Sequence, residues 1–125
     1  MSSAQIPVTV ATASGRITGV RRDDLHYFHS VRYSTIPSPY SPAEPLQGTR
    51  DQDAREPHPA DIALSITAPA DAAECPVVVY IHGGRFEHGS HEDPRLSGEK
   101  NARHGVIQVN VGYRVGLAGF ARFDG

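Results

Sequence analysis

The feature that most constrains this chain is a pair of apolar runs of strand length. "PVVVYI" and "GVIQVNV" are nearly continuous in β-branched and aromatic residues, the pattern of strands covered on both faces. Roughly 20 residues separate them, enough for a crossover connection and too many for a tight hairpin. Within that gap only "DPRLSGEKNARHG" offers a helix, with Pro94 suited to a first turn and Gly105 to a C-terminal stop. Strand, loop, short helix and strand make a βαβ unit, so the expected class is α/β. Parallel strands need helices over both faces, and one short helix cannot supply them. The sheet is therefore expected to be incomplete, with faces and an edge left bare.

The rest of the chain reads around that unit. Residues 8–13 alternate weakly, Ser14 and Gly15 supply a tight turn, and residues 17–20 resume in extended form, which predicts an N-terminal hairpin. A proline-rich stretch over residues 36–59 has no apolar period and predicts a long irregular connection. In "DIALSITAP", Ile62, Leu64 and Ile66 alternate with Ala63, Ser65 and Thr67, which predicts a strand near the sheet's margin with one better-buried face. Residues 1–125 are expected to be one domain at most.

Charge narrows the partners. Twelve basic and fourteen acidic side chains give a formal charge of −2 and form no runs, so no footprint for nucleic acid or an anionic membrane is present. Small, roughly neutral partners fit better. The single cysteine, Cys75, cannot form an internal disulfide and reads as a buried structural thiol beside a strand. The first residues have no basic, apolar leader pattern, and no run approaches the roughly 20 residues that span a bilayer. The expected setting is cytoplasmic. No cofactor signature is present.

The run "VVVYI" ends in "HGGRFEHG". At the C-terminal end of a parallel strand, backbone N–H groups face the crevice in which open α/β sheets bind ligands, and Gly83 and Gly84 remove the side chains that would block it. Two chemistries use such a loop. A phosphate cradle is disfavoured: Gly84 and Gly89 have the spacing of a P-loop, but Ser90 stands where the lysine belongs and Glu87 repels an anion. The other is an oxyanion hole, in which N–H donors stabilise the charge that develops on a carbonyl oxygen during acyl transfer. A plain tight turn flanked by His82 and Phe86 remains open on the residues alone.

Four segments taken together resemble the type-B carboxylesterases, the α/β-hydrolase group that includes the para-nitrobenzyl esterases and the cholinesterases. "PVVVYIHGGRFEHGS" is similar to the family's "PV-x-V-x-I-H-G-G-G-F-x-x-G", and "ASGRITGVRR" to its "T-x-x-G-x-I-x-G" hairpin. "IALSITAP" is similar to "L-x-L-N-V-x-x-P", and "VNVGYRVGLAGF" to "V-x-x-N-Y-R-x-G-x-x-G-F". The four occur in the family's order across most of the chain. The resemblance implies the N-terminal part of an α/β-hydrolase fold: a small antiparallel hairpin and the first strands of a central, mostly parallel sheet. It implies a serine esterase that hydrolyses small carboxylic esters through an acyl-enzyme, without cofactor or metal.

The resemblance also implies what these residues lack. No G-x-S-x-G elbow occurs among them, so no catalytic nucleophile, acid or base is assigned here. The family's backbone donors map onto Gly84 and Arg85, with His82, Gly83 and Phe86 as loop support. Arg85 replaces the family's third glycine, and an ordinary negative φ is expected for it, with Glu87, Glu92 or Asp93 drawing its guanidinium aside. The family's acid–cysteine pair reads Ala60-Asp61, and its "IPYA-x-PP" reads "IPSPYSP". These departures favour a bacterial, cytoplasmic kind.

Other polar residues take plainer readings. His82, His88, His91 and Asp93 are close in sequence, but their spacing matches no zinc signature. His104 is read as a helix C-terminal residue and Arg114 as a structural ion-pair member, with Asp93 or Asp124 as its partner. Two rival readings follow from the missing triad: a truncated or split remnant, inactive until the missing C-terminal part or a complementary chain covers its sheet, and a stand-alone small-molecule binding module.

Overall fold

The computed structural model describes residues 5–58 and 62–121. In chain order the elements are β1 (Ile6–Thr12), β2 (Gly15–Arg22), β3 (Leu25–Arg32), β4 (Ser34–Thr35), β5 (Glu44–Pro45), β6 (Gln52–Asp53), β7 (Ala63–Pro69), β8 (Val77–Ile81), a 3-10 turn (Pro94–Leu96), α1 (Glu99–Arg103), β9 (Ile107–Val111) and α2 (Gly116–Phe120). The main sheet runs β1-β2-β3-β7-β9-β8, with β6 joined to β2. Pairing is antiparallel from β1 to β9, while β9 and β8 are parallel.

The hairpin is where the sequence places it, with Thr12 opposite Gly15. Gly15 has φ +121°, and a Cβ there would lie 2.0 Å from the Arg50 carbonyl oxygen, so only glycine lets the connection cross the turn. The βαβ unit is also present: β8 and β9 pair from Val77↔Ile107 to Ile81↔Val111, with α1 between them in sequence. The helix is interrupted, because Ser97 leaves the helical region after the 3-10 turn and α1 begins after Gly98. A Cβ on Gly98 would lie 2.8 Å from that of Gln108, which is how closely this turn rides on β9. Gly105, at φ +79°, stops α1 as expected.

Three expectations are corrected. First, β7 is not marginal: it lies between β3 and β9. The strand that takes it there, β3, carries "LHYFHSVR", whose histidines and serine hide its period. Second, the proline-rich connection contributes short pairings, β4 with β5 and β6 with β2. It also sends Ala54 into the core, where its N–H bonds the Thr18 carbonyl and its carbonyl accepts from His29. Third, Cys75 is half-buried and free.

The two faces of the sheet differ. On one, Val20, Leu25 and Tyr27 pack against Ala102 of α1. Tyr27 is anchored there by a 2.9 Å hydrogen bond to Glu99, and burial plus that bond push its hydroxyl pKa up to about 12. Towards β9 this face turns polar: Gln108 and Asn110 are buried and both donate to the Leu96 carbonyl, at 2.8 and 2.9 Å. On the other face, Phe28, Val31 and Ala54 form a second cluster with Val8, Ile17, Leu64 and Ile66. That cluster does not reach β8. All five residues of β8 are exposed, Ile81 at 68% and Val79 at 59%, so the apolar strand expected to be covered on both faces is instead the bare edge of the sheet. No helix among the described residues is long and apolar enough to cross a membrane.

Candidate active-site loop

Residues 82–89 follow β8 directly and fold back on themselves. The Gly84 carbonyl accepts from the N–H groups of Glu87 at 3.0 Å and His88 at 3.3 Å. Gly84 has φ +141°, and a Cβ on it would lie 1.7 Å from the His88 carbonyl oxygen. Glycine is therefore required here by both conformation and space. Arg85 and Phe86 follow at φ +58° and +65°. This overturns the expectation of an ordinary φ for Arg85: two successive non-glycine residues are held left-handed, a conformation that costs free energy and persists only where the surroundings impose it. Two of the three carboxylates expected to draw its guanidinium aside are engaged elsewhere, Glu92 with His29 and Asp93 with Arg95, and no ion pair between Arg85 and Glu87 is found among the described residues.

The loop's carbonyls and N–H groups are treated very differently. The His82 carbonyl accepts from the Tyr113 hydroxyl, the Gly83 carbonyl from His82 Nδ1 at 2.8 Å, and the Phe86 carbonyl from the N–H of Gly116 at 2.5 Å. The N–H groups of Gly84 and Arg85 find no acceptor among the described residues. In a trans peptide the carbonyl and the following N–H point in opposite directions. Tying the carbonyls of Gly83 and Gly84 inward therefore turns the N–H groups of Gly84 and Arg85 outward. Successive N–H groups aimed one way make a concavity for negative charge.

Each supporting residue has a place. His82 is buried, its ring stacked on Tyr113 at 4.2 Å between centroids and 10° between planes. A Cβ on Gly89 would fall 2.0 Å from His82 Nδ1, so the returning limb of the loop closes against the same ring. Phe86 is exposed and meets Phe120 of α2 edge to face at 4.8 Å. His104 caps α1 as expected, with Nδ1 2.7 Å from the Lys100 carbonyl. Arg114 is not paired with Asp93; it donates to the Ser41 carbonyl at 2.8 Å, and Asp124 lies outside the described residues.

A cluster that sequence reasoning missed lies behind the loop. A bulge in β3, two residues opposite one between Phe28 and Val31, places Ser30 at φ +52°. Glu92 accepts from the Ser30 N–H at 3.0 Å and contacts His29 Nδ1 at 3.0 Å. Burial pushes the Glu92 carboxyl up, but the hydrogen bond from His29, the charges of His29 and His91 and the Ser30 N–H outweigh it and hold it below its ordinary range. Burial lowers the pKa of His91, with Glu92 opposing. A cavity of about 420 Å³ lies beside this cluster, lined by His58, His82, His91, Glu92 and Tyr113, and does not include Gly84 or Arg85.

Ser30, His91 and Glu92 invite comparison with a catalytic triad, and the geometry rejects it. Ser30 is 2% exposed, and its hydroxyl donates to the His58 carbonyl at 2.8 Å. Ser30 Oγ and Glu92 Oε1 both approach the same nitrogen of His91, Nε2, at 3.3 and 3.7 Å. A relay needs the acid on the opposite ring nitrogen. The trio fastens β3 to the loop after β8. No sequence signal marks it, since its members come from a bulged strand and an irregular loop.

Comparison with known proteins places the chain in a family. A family model described as the carboxylesterase family matches residues 61–125. The para-nitrobenzyl esterase of Bacillus subtilis is 30% identical over 138 aligned positions, covering 89% of this chain and 28% of that protein. Among solved structures, a carboxylesterase of Geobacillus stearothermophilus superposes with a TM-score of 0.81 at 28% identity, covering 90% of this chain and 27% of that one. The juvenile hormone esterase of Manduca sexta superposes with a TM-score of 0.83 at 26% identity, covering 94% and 28%. The chain thus spans less than a third of the length of these relatives and carries the N-terminal part of their α/β-hydrolase fold. On the family model, which spans just over half of its residues, and on these superpositions, the chain belongs to the carboxylesterase family.

Proposed function

We propose that residues 83–85 form the oxyanion loop of a serine ester hydrolase that acts on small carboxylic esters without a cofactor, its nucleophile, acid and base lying outside these 125 residues. One observation carries the reading. The carbonyls of Gly83 and Gly84 are tied back into the loop, while the N–H groups of Gly84 and Arg85 have no acceptor among the described residues.

In that role the chemistry is as follows. A serine oxygen attacks the ester carbonyl carbon, and the carbonyl oxygen takes on negative charge in the tetrahedral intermediate. The N–H groups of Gly84 and Arg85 donate to it, joined by a third from the residue after the serine. Each such donor is worth about 3 to 4 kcal/mol in the transition state. The intermediate collapses to an acyl-serine and an alcohol, and water repeats the sequence to release the acid. The left-handed backbone at Arg85 and Phe86 is strain held where preorganisation matters.

The bare edge at β8 favours one extension: the rest of the enzyme, on the same chain or a complementary one, covers that strand. The test is activity by parts. The native protein that contains this segment is expected to hydrolyse a chromogenic short-chain ester and to lose that activity to a fluorophosphonate, whereas residues 1–125 alone show no turnover. Turnover by the isolated segment that survives purification and fluorophosphonate treatment overturns the assignment, as does an inert native protein.

A further inference from the structure

We infer that Tyr113 is a positioning residue for the proposed reaction, setting the direction in which the loop presents the Gly84 N–H. The inference rests on the oxyanion reading of Gly84 and Arg85. Tyr113 follows the end of β9 and reaches across to the loop after β8. It makes two contacts there: its ring stacks on the His82 imidazole at 4.2 Å, and its hydroxyl donates to the His82 carbonyl.

His82 passes this constraint on. The Gly83 carbonyl can only accept, so His82 Nδ1, 2.8 Å away, carries the proton. That bond holds the Gly83–Gly84 peptide in one plane with its N–H directed out of the loop. The dependence runs by two contacts, the Tyr113 hydroxyl fixing the His82 carbonyl and its ring fixing the His82 imidazole, and from these to the Gly83 carbonyl and the Gly84 N–H.

Tyr113 is itself fixed from the sheet. The preceding Gly112 donates its N–H to the Ala63 carbonyl at 2.7 Å and accepts from the Tyr33 hydroxyl at 2.6 Å. A Cβ at Gly112 would lie 2.5 Å from both the Ala63 oxygen and His91 Nδ1, so glycine alone lets β9 approach β7 and the loop this closely. Tyr113 belongs to neither apolar cluster. Its ring stack and its hydrogen bond are both to His82 of the loop, as a positioning role requires.

The experiment is Tyr113→Phe in the native protein, which keeps the ring and removes the hydroxyl. With para-nitrophenyl butyrate as substrate, kcat is expected to fall about tenfold or more while KM stays within about threefold. Affinity for a trifluoromethyl ketone, which forms a tetrahedral adduct, falls by a similar factor; affinity for the matching methyl ketone does not. Unchanged kcat in a folded variant overturns the inference, and so does a parallel loss of kcat and ground-state affinity. The wild-type ketone adduct separates the two readings. An adduct oxygen away from the Gly84 and Arg85 N–H groups overturns the oxyanion reading. An oxygen on them, with Tyr113→Phe fully active, overturns the role of Tyr113 alone. Should the phenylalanine variant not fold, 3-fluorotyrosine at position 113 keeps the ring and makes the phenol a stronger donor. A kcat shifted by more than about twofold at constant KM then supports the role, and an unchanged kcat overturns it.

Discussion

β3 and β8 reverse what their compositions suggest. β3, with two histidines, a serine and an arginine among its eight residues, is largely buried at the centre of the sheet; β8, apolar throughout, is exposed along its whole length. The difference lies in the neighbours. β3 has strands on both sides, Ala102 over one face and Ala54 over the other, and its polar groups are matched by Glu92 and the Ala54 carbonyl. β8 has β9 on one side and nothing described on the other. Apolar sequence states how much cover a strand needs, and the rest of the fold decides whether cover is present.

The sharpest way to break this comparison is to truncate one residue of each strand. Phe28→Ala, in the second apolar cluster, is expected to cost about 3 to 5 kcal/mol in denaturant unfolding. Val79→Ala in residues 1–125 is expected to cost less than about 0.5 kcal/mol, because its side chain is already in solvent. In the native protein the Val79 cost rises to at least about 1 kcal/mol if β8 is covered there. Equal costs in the segment and the native protein would remove the argument for cover.

If the loop beyond β8 is the proposed oxyanion loop, a change in it separates function from stability. Gly84→Ala forces a Cβ against the His88 carbonyl and displaces both donors. Turnover of the native protein is expected to fall at least about a hundredfold, with a small change in melting temperature because the loop is exposed. A variant that keeps full activity removes the loop from the chemistry.

Acid tests the link between the two regions. The Glu92 carboxyl is held below its ordinary value of 4.5 and the His91 imidazole below its ordinary 6.5. Each group binds its proton more readily in the unfolded chain. The stability they give is therefore full above the unfolded pKa values and lost as pH falls, beginning near 6.5 for His91 and continuing below 4.5 for Glu92. Glu92→Gln should flatten the lower part of that profile; an unchanged profile means the cluster does not fasten β3 to the loop. The smallest effect is expected from Arg85→Gly, which keeps the N–H and relieves the left-handed backbone: turnover within several-fold of wild type. A hundredfold loss would give the guanidinium itself a role.

Much of this architecture is legible in the residues. The hairpin follows from the turn at Ser14-Gly15, the βαβ unit from two apolar runs at crossover spacing, and the loop from a glycine pair at a strand end. The rest depends on contacts that sequence does not display. The place of β3 is hidden because its polar residues are satisfied from distant segments, Glu92 across 63 positions in the case of His29. The central place of β7 is likewise set by β3, and its alternation is compatible with either position. The backbone of Arg85 is illegible because arginine is a poor left-handed residue on any local scale, and the surroundings of the loop impose it.

The most direct measurement is the structure of the native protein bearing a trifluoromethyl ketone on the proposed nucleophilic serine. The adduct oxygen is expected about 2.7 to 3.1 Å from the backbone nitrogens of both Gly84 and Arg85, with His82 Nδ1 still on the Gly83 carbonyl. An oxygen held by other donors, with Gly84 and Arg85 facing away, would contradict the account.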